Sequence, residues 1–162
     1  MAVLKIHTLP DPVLRQKARK VTKIDGSIQK LIDDMIDTTR AASGVGLAAP
    51  QIGASLRIAV IEIPGEELIT LINPEVIKRQ GERVVQEACL SVPGYQGEIK
   101  RSVTVKVKAQ DRQGKEIRLK GRELLAQALE HETDHLNGTL YIDHVESQDK
   151  LWKIVEKATR EL

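Results

Sequence analysis

Two histidines four residues apart, with a glutamate directly after the first, carry the most chemistry in this sequence. His131, Glu132 and His135 form an H-E-x-x-H array, preceded by Leu124, Leu125, Ala128 and Leu129 and followed by Asn137 and Gly138. The apolar spacing predicts a helix that the glycine ends. Side chains four apart on a helix share one face, one turn apart. Both imidazoles can therefore reach one metal ion, while Glu132, one step round, can address a water at that ion. That is the geometry of a hydrolytic centre. Two polar surface histidines are the plainer reading, but this array seldom arises by chance.

A catalytic metal takes three protein ligands and leaves a position for water, so the array is one ligand short. Candidates for the third are Asp143, His144 and Glu146 downstream, His7 near the start, and Cys89. A downstream His or Glu would suggest a zinc metalloprotease. Cys89, lying between Glu87 and a Pro93-Gly94 turn, fits better as a thiolate ligand. Most single cysteines are small buried apolar residues, and on residue types alone that role stays open for Cys89.

The chain is 162 residues long, the size of one domain able to bury its own core without staples. Its 30% of charged residues nearly cancel, to a net +2, and no acidic or basic tail announces a polyanionic or membrane partner. One cysteine allows no internal disulfide. The opening Met-Ala-Val-Leu-Lys-Ile-His lacks a basic region followed by a long apolar run, and no apolar stretch is long enough to cross a bilayer. A cytoplasmic enzyme with no membrane partner is expected. With no Phe, one Trp and two Tyr, base stacking is not expected, and direct sequence-specific nucleic-acid binding is not either.

Asp11 followed by Pro12 predicts a short capped helix. From Asp25, the residues Ile28, Leu31, Ile32, Met35 and Ile36 recur at helical steps and predict an amphipathic helix ending by Ser43. Gly44-Val-Gly-Leu-Ala-Ala-Pro-Gln-Ile-Gly53 then supplies small residues that let backbone approach a ligand. Strands are predicted over 56–63 and 68–72, and a hairpin over 75–86 about Gln80-Gly81. The alternation of Val103, Val105 and Val107 with Thr104, Lys106 and Lys108 predicts another strand, turned at Asp111-Gly114 into 115–119. Residues 139–142 read as extended, and Leu151, Trp152, Ile154, Val155 and Ala158 predict a last helix capped by Ser147. The whole reads as one α+β domain over 1–162, with mostly antiparallel sheets packed around the H-E-x-x-H helix and a C-terminal helix.

Three stretches together are recognisable. Gly44-Val-Gly-Leu-Ala-Ala-Pro-Gln51, Glu87-Ala-Cys-Leu-Ser91 and His131-Glu-Thr-Asp-His135 closely resemble, in order and spacing, the signature motifs of the peptide deformylases. The likeness extends to the Leu-Pro-Asp-Pro opening and to Leu140-Tyr-Ile-Asp143. It implies an enzyme that removes the formyl group from the formyl-methionine that begins newly made bacterial polypeptides. By motif position it implies that Cys89, His131 and His135 bind the metal and that Glu132 is the acid/base. Gln51 and the backbone N–H of Leu90 would receive the oxyanion, and Val45, Gly46 and Leu90 would line the substrate groove.

The second motif of that family usually reads Glu-Gly-Cys-Leu-Ser, and here Ala88 replaces the glycine. If a positive φ were required there, Ala88 would cost of order a kcal/mol and shift Cys89. Softness and affinity order point to zinc for two imidazoles and a thiolate. The resemblance implies ferrous iron as the native ion, with zinc, nickel or cobalt in a purified sample. Two other readings compete: an H-E-x-x-H endopeptidase, and a ribosome-associated binding protein with a structural metal. The resemblance also suggests ribosome contact near the exit tunnel through the C-terminal helix, where Lys150, Lys153, Lys157 and Arg160 lie. A solvated basic face is the plainer role for those residues. Glu87 and Arg101 are a candidate pair for holding the Cys89 strand, with solvated surface charge the plainer role, and Asp134 either supports a metal ligand or is helix surface.

Overall fold

The computed structural model describes residues 2–154. Asp11 opens the chain's first turn of 3-10 helix (Pro12–Arg15) by accepting from the Val13 N–H. Asp25 caps the first long helix, α1 (Gly26–Ala41), by accepting from the Ser27 and Ile28 N–H groups at 3.0 and 3.1 Å. Both carboxylates satisfy donors that a helix start leaves without partners. The strands follow in chain order: β1 (Gly46–Ala48), β2 (Ile58–Ile61), β3 (Ile69–Gln80), β4 (Arg83–Cys89), β5 (Val92–Arg101), β6 (Thr104–Gln110), β7 (Glu116–Arg122) and, near the end, β8 (Leu151–Lys153). Between β7 and β8 runs α2 (Glu123–Leu136), which carries the histidine array.

Two antiparallel sheets result, a five-stranded one in the order β1-β2-β3-β6-β7 and a three-stranded one in the order β4-β5-β8. Alternation along the strands sends Ile58, Val60 and Ile72 into one core with Ile32, Met35 and Ile36 of α1. Ile61, Leu71, Val105 and Val107 enter a second core with Ala126 and Leu129 of α2. The two helices thus cover opposite faces of the larger sheet. A third cluster of Val85, Cys89, Ile99 and Tyr141 holds the smaller sheet. The expected α+β architecture is observed, with α2 at its centre.

Four local expectations are corrected. The hairpin about Gln80-Gly81 does not form: β3 pairs with β6 up to Gln80↔Thr104, so the chain turns at Gly81 (φ 71°) and crosses to the other sheet. The strand expected to stop at 72 continues to Gln80 through a bulge at Asn73 and Pro74, where Asn73 (φ 52°) grips Val21 N and O through its side chain. The bulge accommodates a proline that cannot donate to the ladder. Residues 141–144 form a 3-10 turn (Tyr141–His144), because the Asp143 carboxylate accepts from the Leu140 N–H at 3.0 Å and folds the segment back.

The predicted C-terminal helix is the fourth. A 3-10 turn (Gln148–Lys150) leads into β8, which pairs with β5 as Gly97↔Leu151, Gln96↔Trp152 and Tyr95↔Lys153. Pairing satisfies an edge of β5 that would otherwise be open, and Gly97 leaves room for Tyr141, Val145 and Leu151 over its Cα. Lys150 and Lys153 therefore do not share a helical face. Val155, Lys157, Ala158 and Arg160 lie outside the described residues.

Gly121 shows how tightly α2 meets the sheet, since a Cβ there would stand 2.8 Å from Leu125 Cγ and from Leu129 Cδ1. Gly121→Ala is expected to destabilise the protein by about 1–3 kcal/mol through overpacking. Urea unfolding monitored by circular dichroism would show the lowered midpoint; an unchanged midpoint would mean that α2 packs more loosely.

Candidate active site

Four chain segments meet at the array. From α2 come His131 and His135, one turn apart, with Glu132 between them. From β4 come Glu87 and Cys89, two residues apart and hence on one face of the strand, where a shift in the β4–β5 register follows Glu87. From the turn after β1 comes Gln51, in a 3-10 helix (Ala49–Ile52). Leu90 and Ser91 make the tight connection from β4 to β5.

The three expected ligand atoms, Cys89 Sγ and one ring nitrogen from each histidine, all lie within 4.8 Å of one another. Cys89 Sγ is 3.3 Å from His135 Nε2, which is 3.2 Å from His131 Nε2. The other candidates are engaged elsewhere: His7 with Asp11, Asp143 with Arg15, His144 with Asp134, and Glu146 with Lys100 and Lys150. His131 Nδ1 meets the Glu87 carboxylate. That carboxylate places the ring's proton on Nδ1 and leaves Nε2 as a lone-pair donor. Two imidazole nitrogens this close repel unless a proton or a cation lies between them. The donor set, one sulfur and two nitrogens with a side left open, fits a divalent transition-metal ion.

Arg101 fixes this arrangement from behind. Its guanidinium donates from Nε and Nη2 to the two oxygens of Glu87 at 3.1 and 2.6 Å, and from Nη1 to Asp134 at 2.7 Å. Asp134 also accepts from His144, so it is a partner of Arg101 and not bare helix surface. Burial pushes the Glu87 carboxyl up, but hydrogen bonds from His131 and Arg101 outweigh it and hold its pKa at about 2. The His131 ring also loses hydration on burial, yet hydrogen bonds with Cys89 and Glu87 hold its pKa well above the usual value. Burial, with the neighbouring His131 charge, depresses His135. The second proton that the raised His131 pKa favours, on Nε2, is the one a bound cation would displace, while Nδ1 keeps its proton toward Glu87.

Glu132 is 4% exposed, and burial raises its pKa to about 7. Among the described residues its Oε1 has no hydrogen-bond partner. Gly46 makes room for it, since a Cβ there would lie 2.7 Å from Glu132 Oε2. Gln51 is clamped at both ends of its amide: Oε1 accepts from the Ala48 N–H at 3.0 Å, and Nε2 donates to Ser91 Oγ at 3.1 Å. The Ser91 N–H points at Cys89 Sγ, 3.4 Å away. Ala88 lies in β4 without positive φ and faces outward, so the strain expected of its methyl is absent.

Gln51, Glu87, Cys89, His131 and Glu132 line a largely apolar cavity of about 440 Å³, as do Val45, Gly46 and Leu90. Apart from Glu87, these are seven of the site residues expected from the sequence; the eighth, His135, is buried and touches Cys89 and His131. Residue types alone did not single out Tyr95, Leu124 and Ile154, which share the lining. Leu124 stands seven residues before His131, two turns along the same face, and that periodicity could have found it. Tyr95 and Ile154 arrive through strand pairing, for which the sequence holds no local signal.

The fold and the site define a class, an α+β hydrolase whose helix turns two imidazoles and a carboxylate toward a strand-borne thiol. The family model for polypeptide deformylase matches residues 3–151. A peptide deformylase of Dehalococcoides mccartyi is 59% identical over 155 residues, covering 95% of this chain and 93% of its own. The crystal structure of a peptide deformylase from Legionella pneumophila superposes with a TM-score of 0.88 at 49% identity, over 92% of this chain and 89% of that one. That of Thermotoga maritima gives 0.87 at 40%, over 91% of this chain and 100% of that one. The chain belongs to the polypeptide deformylase family, enzymes that remove the N-terminal formyl group from nascent peptides with a divalent metal ion.

Arg101→Met leaves Glu87 and Asp134 without their cationic partner, and breaking a buried pair in this way costs about 3–5 kcal/mol. Urea denaturation should show that loss, with Arg101→Lys recovering only part because it cannot span three oxygens with a planar fork. Wild-type stability in both variants would deny the pair its role.

Proposed function

We propose that this chain hydrolyses the formyl group from N-formylmethionine at the start of newly made polypeptides, releasing formate. The metal ligands are Cys89, His131 and His135, and the native ion is ferrous iron. Zinc, nickel or cobalt would bind the same donors in a purified sample. The observation that carries the reading is the convergence of these three donors beside Glu132 and Gln51 at one end of an apolar groove.

A formamide is a stabilised acyl group, so its hydrolysis needs a strong nucleophile at neutral pH and a place for the charge that develops on oxygen. When bound, a divalent ion supplies Lewis acidity and lowers the pKa of water toward about 7. Glu132 takes the proton that the attacking water sheds as its oxygen adds to the formyl carbon. It returns that proton to the amine nitrogen as the C–N bond breaks. Buried beside the donor set with one carboxylate oxygen unpartnered among the described residues, Glu132 is free to exchange a proton with a group in the groove. Gln51 Nε2 and the Leu90 backbone N–H donate to the oxygen that gains charge. Such donors are worth about 2.7–4 kcal/mol of barrier when they are already in place, and the clamps at Ala48 and Ser91 keep Gln51 there. The small Gly46 and the apolar Val45 and Leu90 form the groove wall against which the methionine side chain packs.

Glu132→Gln is expected to keep its metal while formate release falls by about 10²–10⁴-fold. Cys89→Ala is expected to lose both. Formate assays on formyl-Met-Ala, paired with metal analysis, would check each. Internal peptide-bond cleavage that survives in Cys89→Ala would instead favour the endopeptidase reading.

A further inference from the structure

Over the whole chain the charges nearly cancel, to +2, but the fold does not spread them evenly. The face of the larger sheet on which α1 packs is covered only over β1, β2 and the start of β3, where Ile58, Val60 and Ile72 lie. Beyond Ile72 the same face continues bare across β3, β6 and β7. The alternation that sends Val105, Val107 and Leu119 toward α2 turns Lys106, Lys108, Arg118, Lys120 and Arg122 the other way. Register then sets Lys78 opposite Lys106 and Lys106 opposite Lys120, three lysines abreast on adjacent strands. Strands lie about 4.8 Å apart, so these like charges repel across the sheet. Two carboxylates share the face, one and two rows further along: Glu75 lies opposite Lys108, and Glu116 is 3.7 Å from Lys108 and 3.2 Å from Arg118. Among the described residues no carboxylate pairs with Lys78, Lys106 or Lys120. Such a row weakens the isolated fold and is relieved only by anions from outside the chain.

We propose that this bare face of β3, β6 and β7 is a docking surface for the phosphate backbone of double-helical RNA. Its ammonium groups form a lattice of about 4.8 Å across strands and about 6.8 Å along them. They meet a polymer whose charges are also regularly spaced, and each contact releases a condensed counterion. Lysine stems lie over the sheet while their heads stay in water, so the face presents charge without an apolar centre. Among the described residues Ile77, in the β3 bulge, is the one exposed large apolar side chain of the three strands. Protein interfaces have an apolar core and are poor in lysine, which sets an acidic protein aside. None of the three strands carries an aromatic residue, so a single strand finds no stacking partner. An A-form duplex offers a wide, shallow minor groove bordered by phosphates, against which a sheet face can lie without reading sequence. The choice of RNA over DNA rests on the deformylase reading, which puts the chain beside newly made polypeptides, and those are made on RNA. The surface itself does not depend on that reading.

The test uses the full-length, metal-loaded protein and a fluorescein-labelled RNA duplex of about 20 base pairs, with anisotropy followed from about 50 to 200 mM salt. The wild type is expected to bind with a Kd of about 1–10 μM at the lower salt, and log Kd should rise against log salt with a slope of about 3–5. Lys78→Glu/Lys120→Glu should bind at least about tenfold more weakly, with the slope reduced by about 2. Its row would then alternate in sign, so its urea midpoint should be no lower than that of the wild type. Its formate release from formyl-Met-Ala should be unchanged, because α2 packs on the other side of the sheet. Lys78→Gln/Lys120→Gln, which removes charge without reversing it, should fall between the two in RNA affinity. Lys150→Glu/Lys153→Glu makes the same change in net charge away from this face and should weaken binding by less than about threefold. No wild-type binding at about 100 μM, wild-type affinity in Lys78→Glu/Lys120→Glu, or equal losses in the two Glu pairs would overturn the surface. Tighter binding to phosphatidylglycerol vesicles or to duplex DNA, at the same phosphate concentration and salt, would overturn it as well. RNA binding of the expected form by a wild type that releases no formate would keep the surface and overturn the reaction.

Discussion

A buried arginine pairs two elements of the site that are distant in sequence. Arg101, on β5, bonds Glu87 on β4 and Asp134 on α2, and Glu87 in turn bonds His131. Charges taken out of water are tolerable only when paired and hydrogen-bonded, so this chain of contacts permits few geometries. Its consequence for chemistry is the tautomer of His131. With Nδ1 engaged, Nε2 is the nitrogen left to face Cys89 and His135. The small sheet, the central helix and the donor set are thus fixed by one network, and the neighbouring cores supply the stability against which its desolvation is set.

The groove shows a division of labour between the two sheets. The larger sheet, packed between helices, gives a rigid frame from which Gly46 and Gln51 project toward α2. The smaller sheet carries the thiol and, through β5 and β8, the apolar mouth. Glycine at position 46 and the clamps on Gln51 do related work from opposite directions, one leaving space for the Glu132 carboxylate and the other removing the freedom of an amide. Groups held in this way need not be ordered during the reaction, which is where preorganised polar sites gain their advantage over water.

The parts legible in the sequence were those with local signals. The period of α1, the cap at Asp11, and the His131–His135 spacing each depend on neighbours within a few residues, and each appears as read. Glu132 followed from its place one step round the helix from His131, Cys89 stayed an open candidate until the three motifs were read together, and Gln51 came from those motifs alone. Two of the misreadings fell where a distant strand decides the outcome. Gln80-Gly81 has the composition of a hairpin turn, but β6 had already taken the partner edge of β3. Leu151, Trp152 and Ile154 fit a helical spacing, yet β5 offered them a ladder and Gly97 offered room. Ala88 differed for another reason: the site required an extended strand there and not the left-handed backbone that the family's glycine suggested.

The central claim is that one thiolate and two imidazoles from separate elements hold one ion. X-ray absorption at the metal edge of the zinc-loaded protein tests it directly. The prediction is one sulfur at about 2.3 Å and two imidazole nitrogens at about 2.0–2.1 Å, with the sulfur lost in Cys89→Ala. A wild-type spectrum with nitrogen and oxygen neighbours but no sulfur would contradict it.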